Sequence, residues 1–152
     1  MNKSEIKITE DIEKYGCHVT SVFDPDGEDI DFTYTTGIYK KQKQPELIIV
    51  GLNHELASWM ANEYNRQIQS GKTFKYNTFY GGFLEEFKVI LCPVSEKYKE
   101  EYLLSSNWLY DCTSYPASQL IFPNVEGVWP WEEKATENFK NLQPSLQDVS
   151  AW

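Results

Sequence analysis

Histidine, cysteine and clustered positive charge are all scarce in this chain, and each scarcity removes a class of function. Only two histidines, His18 and His54, occur in 152 residues. The three cysteines, Cys17, Cys92 and Cys112, lie far apart and form no Cys-x-x-Cys pair, which argues against a zinc ribbon or a redox dithiol. Lys and Arg number 14 against 23 Asp and Glu, a formal net charge of −9. That balance argues against general binding to nucleic acid or to an anionic membrane, since both need clustered cations. No apolar run approaches the roughly 20 residues of a membrane span. The opening residues "MNKSEIKITEDIEKYG" are charged throughout and lack the apolar stretch of a signal peptide. A soluble cytoplasmic protein with reduced thiols is the expectation, with no membrane partner, metal site or cofactor.

Aromatic residues are abundant: five Trp, ten Tyr and eight Phe make up 15% of the chain. Such a content supplies more apolar surface than a disordered chain carries, and the length suits one domain over residues 1–152. The pattern predicts a helix over Ser4–Tyr15, closed by Gly16, and a strand over Cys17–Phe23. "DPDGEDID" is turn chemistry, and "FTYTTGIY" alternates with the period of a half-buried strand. "ELIIVGL" reads as a strand buried on both faces, with Lys40, Lys41 and Lys43 in the hairpin loop before it. Asn53 caps a helix whose apolar face is Leu56, Trp59, Met60, Tyr64 and Ile68, ended by Gly71. "FKVILCPV" and "ASQLIF" are further strands, and one helix is expected from Ser95 to Tyr110. Residues 132–152 read as a polar, loosely held tail. Mixed elements without regular βαβ alternation predict an α+β fold, a mainly antiparallel sheet packed with two or three helices.

Two familiar motifs fail on inspection. "SGKTF" carries the Gly-Lys-Thr of a phosphate loop, yet Arg66 occupies the place of the first Gly and the triplet follows a helix. The acidic run from Asp24 to Asp31 lacks the Gly and Glu positions of a calcium loop, so a solvated turn is the better reading. Cys17 and His18 are neighbours on a strand and point to opposite faces, so they cannot pair. Either histidine with Cys92 or Cys112 stays open, without any local signature of cysteine catalysis.

Regional signals are stronger. Gly37 and Gly51 stand at the ends of paired strands, where a lone Gly marks a bulge or a close backbone approach. Glu46 opens a strand otherwise free of charge, which suggests an acceptor for a ligand NH or OH. "FPNVEGVWPW" sets two Pro around two Trp, read either as a plug over the core or as a stacking platform for a flat ligand.

Taken in order, Tyr34-Thr35-x-Gly37-Ile38, Pro45-Glu46-Leu47, Gly51-Leu52, Gln119-Leu120, Pro123 with Gly127, Pro130-Trp131 and Gln143-Pro144 with Leu146 resemble the bacterial and phage family called domain of unknown function 4262. The likeness runs over about residues 12 to 147. It departs from the family pattern at Phe122-Pro123-Asn124, where the family has Trp-Pro-Asp, and at Gly16-Cys17, where it has Gly-Trp. If the family's Asp is functional, Asn124 puts general acid or base work at that position in doubt. The resemblance implies a shared fold and site location but no established activity.

The favoured reading is a small ligand-binding protein with an aromatic and polar pocket. Its candidate site is Tyr34, Thr35, Gly37, Glu46, His54, Lys72, Gln119, Trp129 and Trp131. Nucleotide-like ligands fit best, because bases stack on Tyr or Trp while Lys40, Lys41 or Lys72 meets a phosphate; sequestering a signalling nucleotide is one such role. No catalytic residue is assigned. The alternatives are a protein-interaction or inhibitor module, suited by the −9 charge to a basic partner, and a hydrolase or transferase using Glu46, His54 or a Tyr. Self-association into a homo-oligomer is left open.

Overall fold

A computed structural model describes all residues, Met1 to Trp152. Six strands form one sheet: β1 (His18–Val22), β2 (Phe32–Thr36), β3 (Glu46–Val50), β4 (Phe79–Tyr80), β5 (Val89–Pro93) and β6 (Ala117–Ile121). Their spatial order is β1-β2-β3-β6-β5-β4. Only β3 and β6 run parallel; every other neighbouring pair is antiparallel, so the expected α+β architecture with a mainly antiparallel sheet is found.

Six helices accompany the sheet rather than two or three: α1 (Lys3–Tyr15), α2 (Ile38–Gln42), α3 (His54–Gln69), α4 (Glu96–Tyr102), α5 (Leu104–Tyr110) and α6 (Glu137–Leu142). Two are the long helices read from periodicity. Asn2 and Glu5 close a reciprocal capping box on α1, and Gly16 ends it in the left-handed conformation. Asn53 accepts the Leu56 amide at the start of α3. The short ones have local causes. The lysine loop is α2 rather than an open hairpin tip, because the Glu46 carboxylate collects the free amides at its start. The single helix expected from Ser95 breaks at Leu103 (φ −94, ψ 54), whose side chain is fully buried.

Two apolar clusters sandwich the sheet. On one face Leu47, Ile49, Val89, Leu91 and Leu120 meet Ala57, Met60, Tyr64 and Ile68 of α3. On the other, Tyr34, Ile48, Val50 and Ala117 pack with Leu103, Tyr115 and Leu146. Burying each such Leu or Ile contributes about 1.5–3 kcal/mol. The segment read as a loose tail, residues 132–152, holds α6 and fully buried Gln143 and Leu146. Gln143 donates to the Phe122 carbonyl and accepts the Phe122 amide, a side-chain substitute for strand pairing.

Close backbone approach is found at both glycines that suggested it. A Cβ on Gly37 (φ +111) would meet Ile12 of α1 at 2.6 Å. One on Gly51 (φ +92) would meet the Leu142 carbonyl at 2.5 Å.

Candidate functional site

Thr35, Gly37 and Glu46 do come together, but around each other. Glu46 is fully buried at the head of β3. Its Oε1 accepts from the Thr35 hydroxyl (2.8 Å) and the Ile38 amide (3.2 Å). Its Oε2 accepts from the amides of Gly37 (3.0 Å) and Tyr39 (3.1 Å) and from the Tyr110 hydroxyl. Three of these donors are the first amides of α2, the groups a helix leaves unpaired. Burial pushes the Glu46 carboxyl above its usual range, against the pull of the hydrogen bonds from Tyr110, Thr35, Tyr39 and Gly37. Every acceptor position is occupied from within the chain. Glu46 is therefore not free to accept a ligand group, as the sequence had suggested.

The remaining expected residues scatter. Tyr34 is buried, and its hydroxyl accepts the Ser105 amide at 3.0 Å. Gln119 is buried and clamps the C-terminal segment, donating to the Pro144 carbonyl (2.8 Å) and accepting the Leu146 amide (3.0 Å). His54 is exposed at the start of α3 and stacks on Phe23 at 5.0 Å. Lys72 lies over the rings of Phe74 and Tyr80 at 5.1 and 5.0 Å. Trp129 and Trp131 stack face to face, 4.9 Å apart and 12° from parallel. That spacing leaves no room for a base between them; Trp129, with Trp152, plugs the cluster of Ile90, Cys92 and Ile121, while Trp131 is 40% exposed. The nine residues do not line one pocket. Burial pushes the Cys17 thiol up to about 12, helped by Glu46 and Asp11, and raises the Cys92 thiol as well, which disfavours a thiolate at either; Cys112 is exposed.

Polar groups that are not consumed lie one strand over, between α1, β1 and α5. A cavity of about 340 Å³ there is lined by Lys3, Lys7, Ile8, His18, Thr20 and Ser105, among others. Gly16 reverses the chain between α1 and β1, which brings Asp11 of the helix against His18 of the strand. Asp11 Oδ2 lies 2.7 Å from His18 Nδ1, and Asp11 Oδ1 lies 3.0 Å from Lys7 Nζ. Burial raises the Asp11 carboxyl, but the hydrogen bonds from His18 and Lys7 outweigh it and hold the group below its ordinary value. Two residues along β1, on the same face as His18, the Thr20 hydroxyl is buried with no hydrogen-bonding partner in the chain. An adjoining cavity of about 210 Å³ shares Ser4, Ile8 and Ser105 and adds Trp108, 37% exposed. Sequence reading noted His18 but sought its partner among the cysteines. The usable signal was an Asp in the last two turns of a helix, returned by Gly16 onto a strand.

A second open feature sits beneath the β1–β2 turn. A cavity of about 530 Å³ is lined by the apolar Val22, Phe23, Ile30, Phe32 and Tyr102 together with four carboxylates, Asp24, Glu28, Asp29 and Glu101. None of these carboxylates is paired with a cation. Asp24 instead accepts the amides of Asp26, Glu28 and Asp29, which hold its carboxyl below the usual range.

No helix is long and apolar enough to cross a membrane. No three His, Cys, Asp or Glu side chains converge as a metal-binding group. A family model described as domain of unknown function (DUF4262) matches residues 11–136. Asp11, His18, Thr20, Ser105 and Trp108 fall inside that span, whereas Lys3, Ser4, Lys7 and Ile8 precede it. No curated protein and no solved structure matches the chain.

Proposed function

The chain belongs to the DUF4262 family, a domain of unknown function, and from that premise we propose that it binds a small ligand carrying a phosphate-like group beside a flat ring, in the cavity between α1, β1 and α5. One observation carries this reading: His18 and Lys7, both bonded to Asp11, line the same cavity as Thr20, whose buried hydroxyl has no partner in the chain. A buried hydroxyl without a partner costs about 1–3 kcal/mol, and a ligand oxygen would relieve it once the side chains around Thr20 shift to admit it. Lys3 and Lys7 supply point charges suited to a phosphate, and Ser105 adds a hydroxyl. Trp108 offers a face to a base, an interaction of about 1–3 kcal/mol. A nucleotide has both parts.

Calorimetric titration against nucleoside mono-, di- and cyclic phosphates tests the reading. Dissociation constants in the micromolar range, weakened about tenfold or more in His18→Ala, are expected. No member of the panel binding below the millimolar range would overturn it.

The cleft beneath the β1–β2 turn favours a second reading, a protein-interaction module. Its unpaired carboxylates around exposed Phe23 and Val22 suit a basic segment of a partner protein, recognised by charge and by cation–π contact. A lysine- and arginine-rich peptide binding with steep salt dependence, lost in Asp29→Lys with Glu101→Lys, is the expected result. Indifference of that peptide to both substitutions counts against it.

A further inference from the structure

The arrangement of Asp11 and His18 carries more than recognition. A carboxylate 2.7 Å from Nδ1 fixes the imidazole in the tautomer with its proton on that nitrogen, leaving Nε2 with a free lone pair. The pair is sheltered, at 14% and 19% side-chain exposure, yet His18 lines the cavity. A purely architectural pair would tie α1 to β1 and need nothing further. Here the same cavity is also lined by Ser105, which carries a hydroxyl, and by Lys3 and Lys7, which carry ammonium groups, with the buried Thr20 hydroxyl behind its wall. Those are the groups that stabilise charge on the oxygens of a phosphoester as it reacts.

We propose that His18 is the general base of a phosphoester hydrolysis carried out on the ligand bound in this cavity, with Asp11 as its positioning residue; this rests on the ligand-binding reading above. Nε2 takes a proton from a water molecule as the water oxygen forms a bond to phosphorus. The bond from phosphorus to the leaving oxygen breaks, and that oxygen takes the proton back from the imidazolium. Lys3 and Lys7 offset charge on the non-bridging oxygens, while Ser105 donates a hydrogen bond to them. Charged groups facing His18 come from α1 alone: Asp11, Lys3 and Lys7, with Glu5 at the mouth. Thr36, its partner across the ladder on β2, and Ser105 on α5 do not titrate.

The test is release of p-nitrophenolate from bis(p-nitrophenyl) phosphate and p-nitrophenyl phosphate, run beside calorimetric nucleotide binding on the same protein. Expected is turnover of at least one ester by the wild type, rising with pH through one ionisation. His18→Gln should lower it by about 100-fold or more. Asp11→Asn should lower kcat with KM retained and move the ionisation. A wild type that binds nucleotides but turns over neither ester overturns the catalytic inference and leaves the binding reading standing. Absence of both binding and turnover overturns both. Turnover unchanged in His18→Gln overturns the assignment to His18.

Discussion

Glu46 and His18 lie one strand apart near the same end of β2, and they are opposite in how their hydrogen-bonding capacity is used. Glu46 is reached through Thr35 and is filled by five donors from its own chain. His18, across the ladder from Thr36, has one nitrogen held by Asp11 and stands beside a buried hydroxyl that nothing in the chain meets. The contrast teaches that motif density is a poor guide to a site. The Tyr34-to-Glu46 and Gln119-to-Leu146 residues of the family motif hold loops, a helix start and the C-terminal segment in place. The groups left with spare capacity lie outside that motif.

Breaking the filled cluster should give the largest effect. Glu46→Ala leaves Thr35, Tyr110 and three amides without their acceptor and is expected to cost about 3–5 kcal/mol in urea unfolding. A loss below about 1 kcal/mol would mean that the network is not structural. Gly51→Ala comes next: it forces a Cβ against the Leu142 carbonyl at positive φ, with an expected cost of about 1–3 kcal/mol. Limited proteolysis should then cut between residues 142 and 152 sooner than in the wild type.

The open cluster should respond the other way round. Thr20→Val removes a hydroxyl that contributes no bond, so stability should stay level or rise by up to about 1 kcal/mol. Nucleotide affinity should meanwhile fall about tenfold, or 1.4 kcal/mol, and a stability loss without an affinity loss would reverse the comparison. The smallest effect is on the acid limb. The Asp11 carboxyl is lowered from an ordinary value of 3.8, so its stabilising contribution is complete above that pH and lost as pH falls through the folded-state value. Asp11→Asn should remove that part of the acid-induced fall, worth less than about 1 kcal/mol because desolvation of the carboxyl opposes its hydrogen bonds, as read by thermal melts at stepped pH.

Much of the fold was legible because periodicity and turn chemistry act locally. The apolar face of α3, the doubly buried β3 and the stop at Gly16 are all written in consecutive residues. What escaped depends on contacts distant in sequence. α6 is too short for a periodic stripe; it is held by its Thr136 cap, by Phe139 against Phe122 and by Gln143 gripping Phe122. The lysine loop became α2 because a carboxylate following it in sequence caps its start. That Gly37 and Glu46 belong together was visible, but not that Glu46 would face the amides of its own chain, nor that Gly51, at the far end of β3, would pack on Leu142 instead. Asp11 and His18 are seven residues apart, in a helix and a strand, and only the reversal at Gly16 makes them neighbours.

The central claim is that the unspent cluster at His18, rather than the motif cluster at Glu46, receives the ligand. Amide and indole chemical shifts recorded while a nucleoside 5′-monophosphate is titrated into the protein test it most directly. The account predicts dose-dependent shifts at His18, Thr20, Ser105 and the Trp108 indole, with Thr35, Gly37 and Gln119 unmoved. Shifts confined to Thr35, Gly37 and the Trp129–Trp131 segment, or no shifts at all, would contradict it.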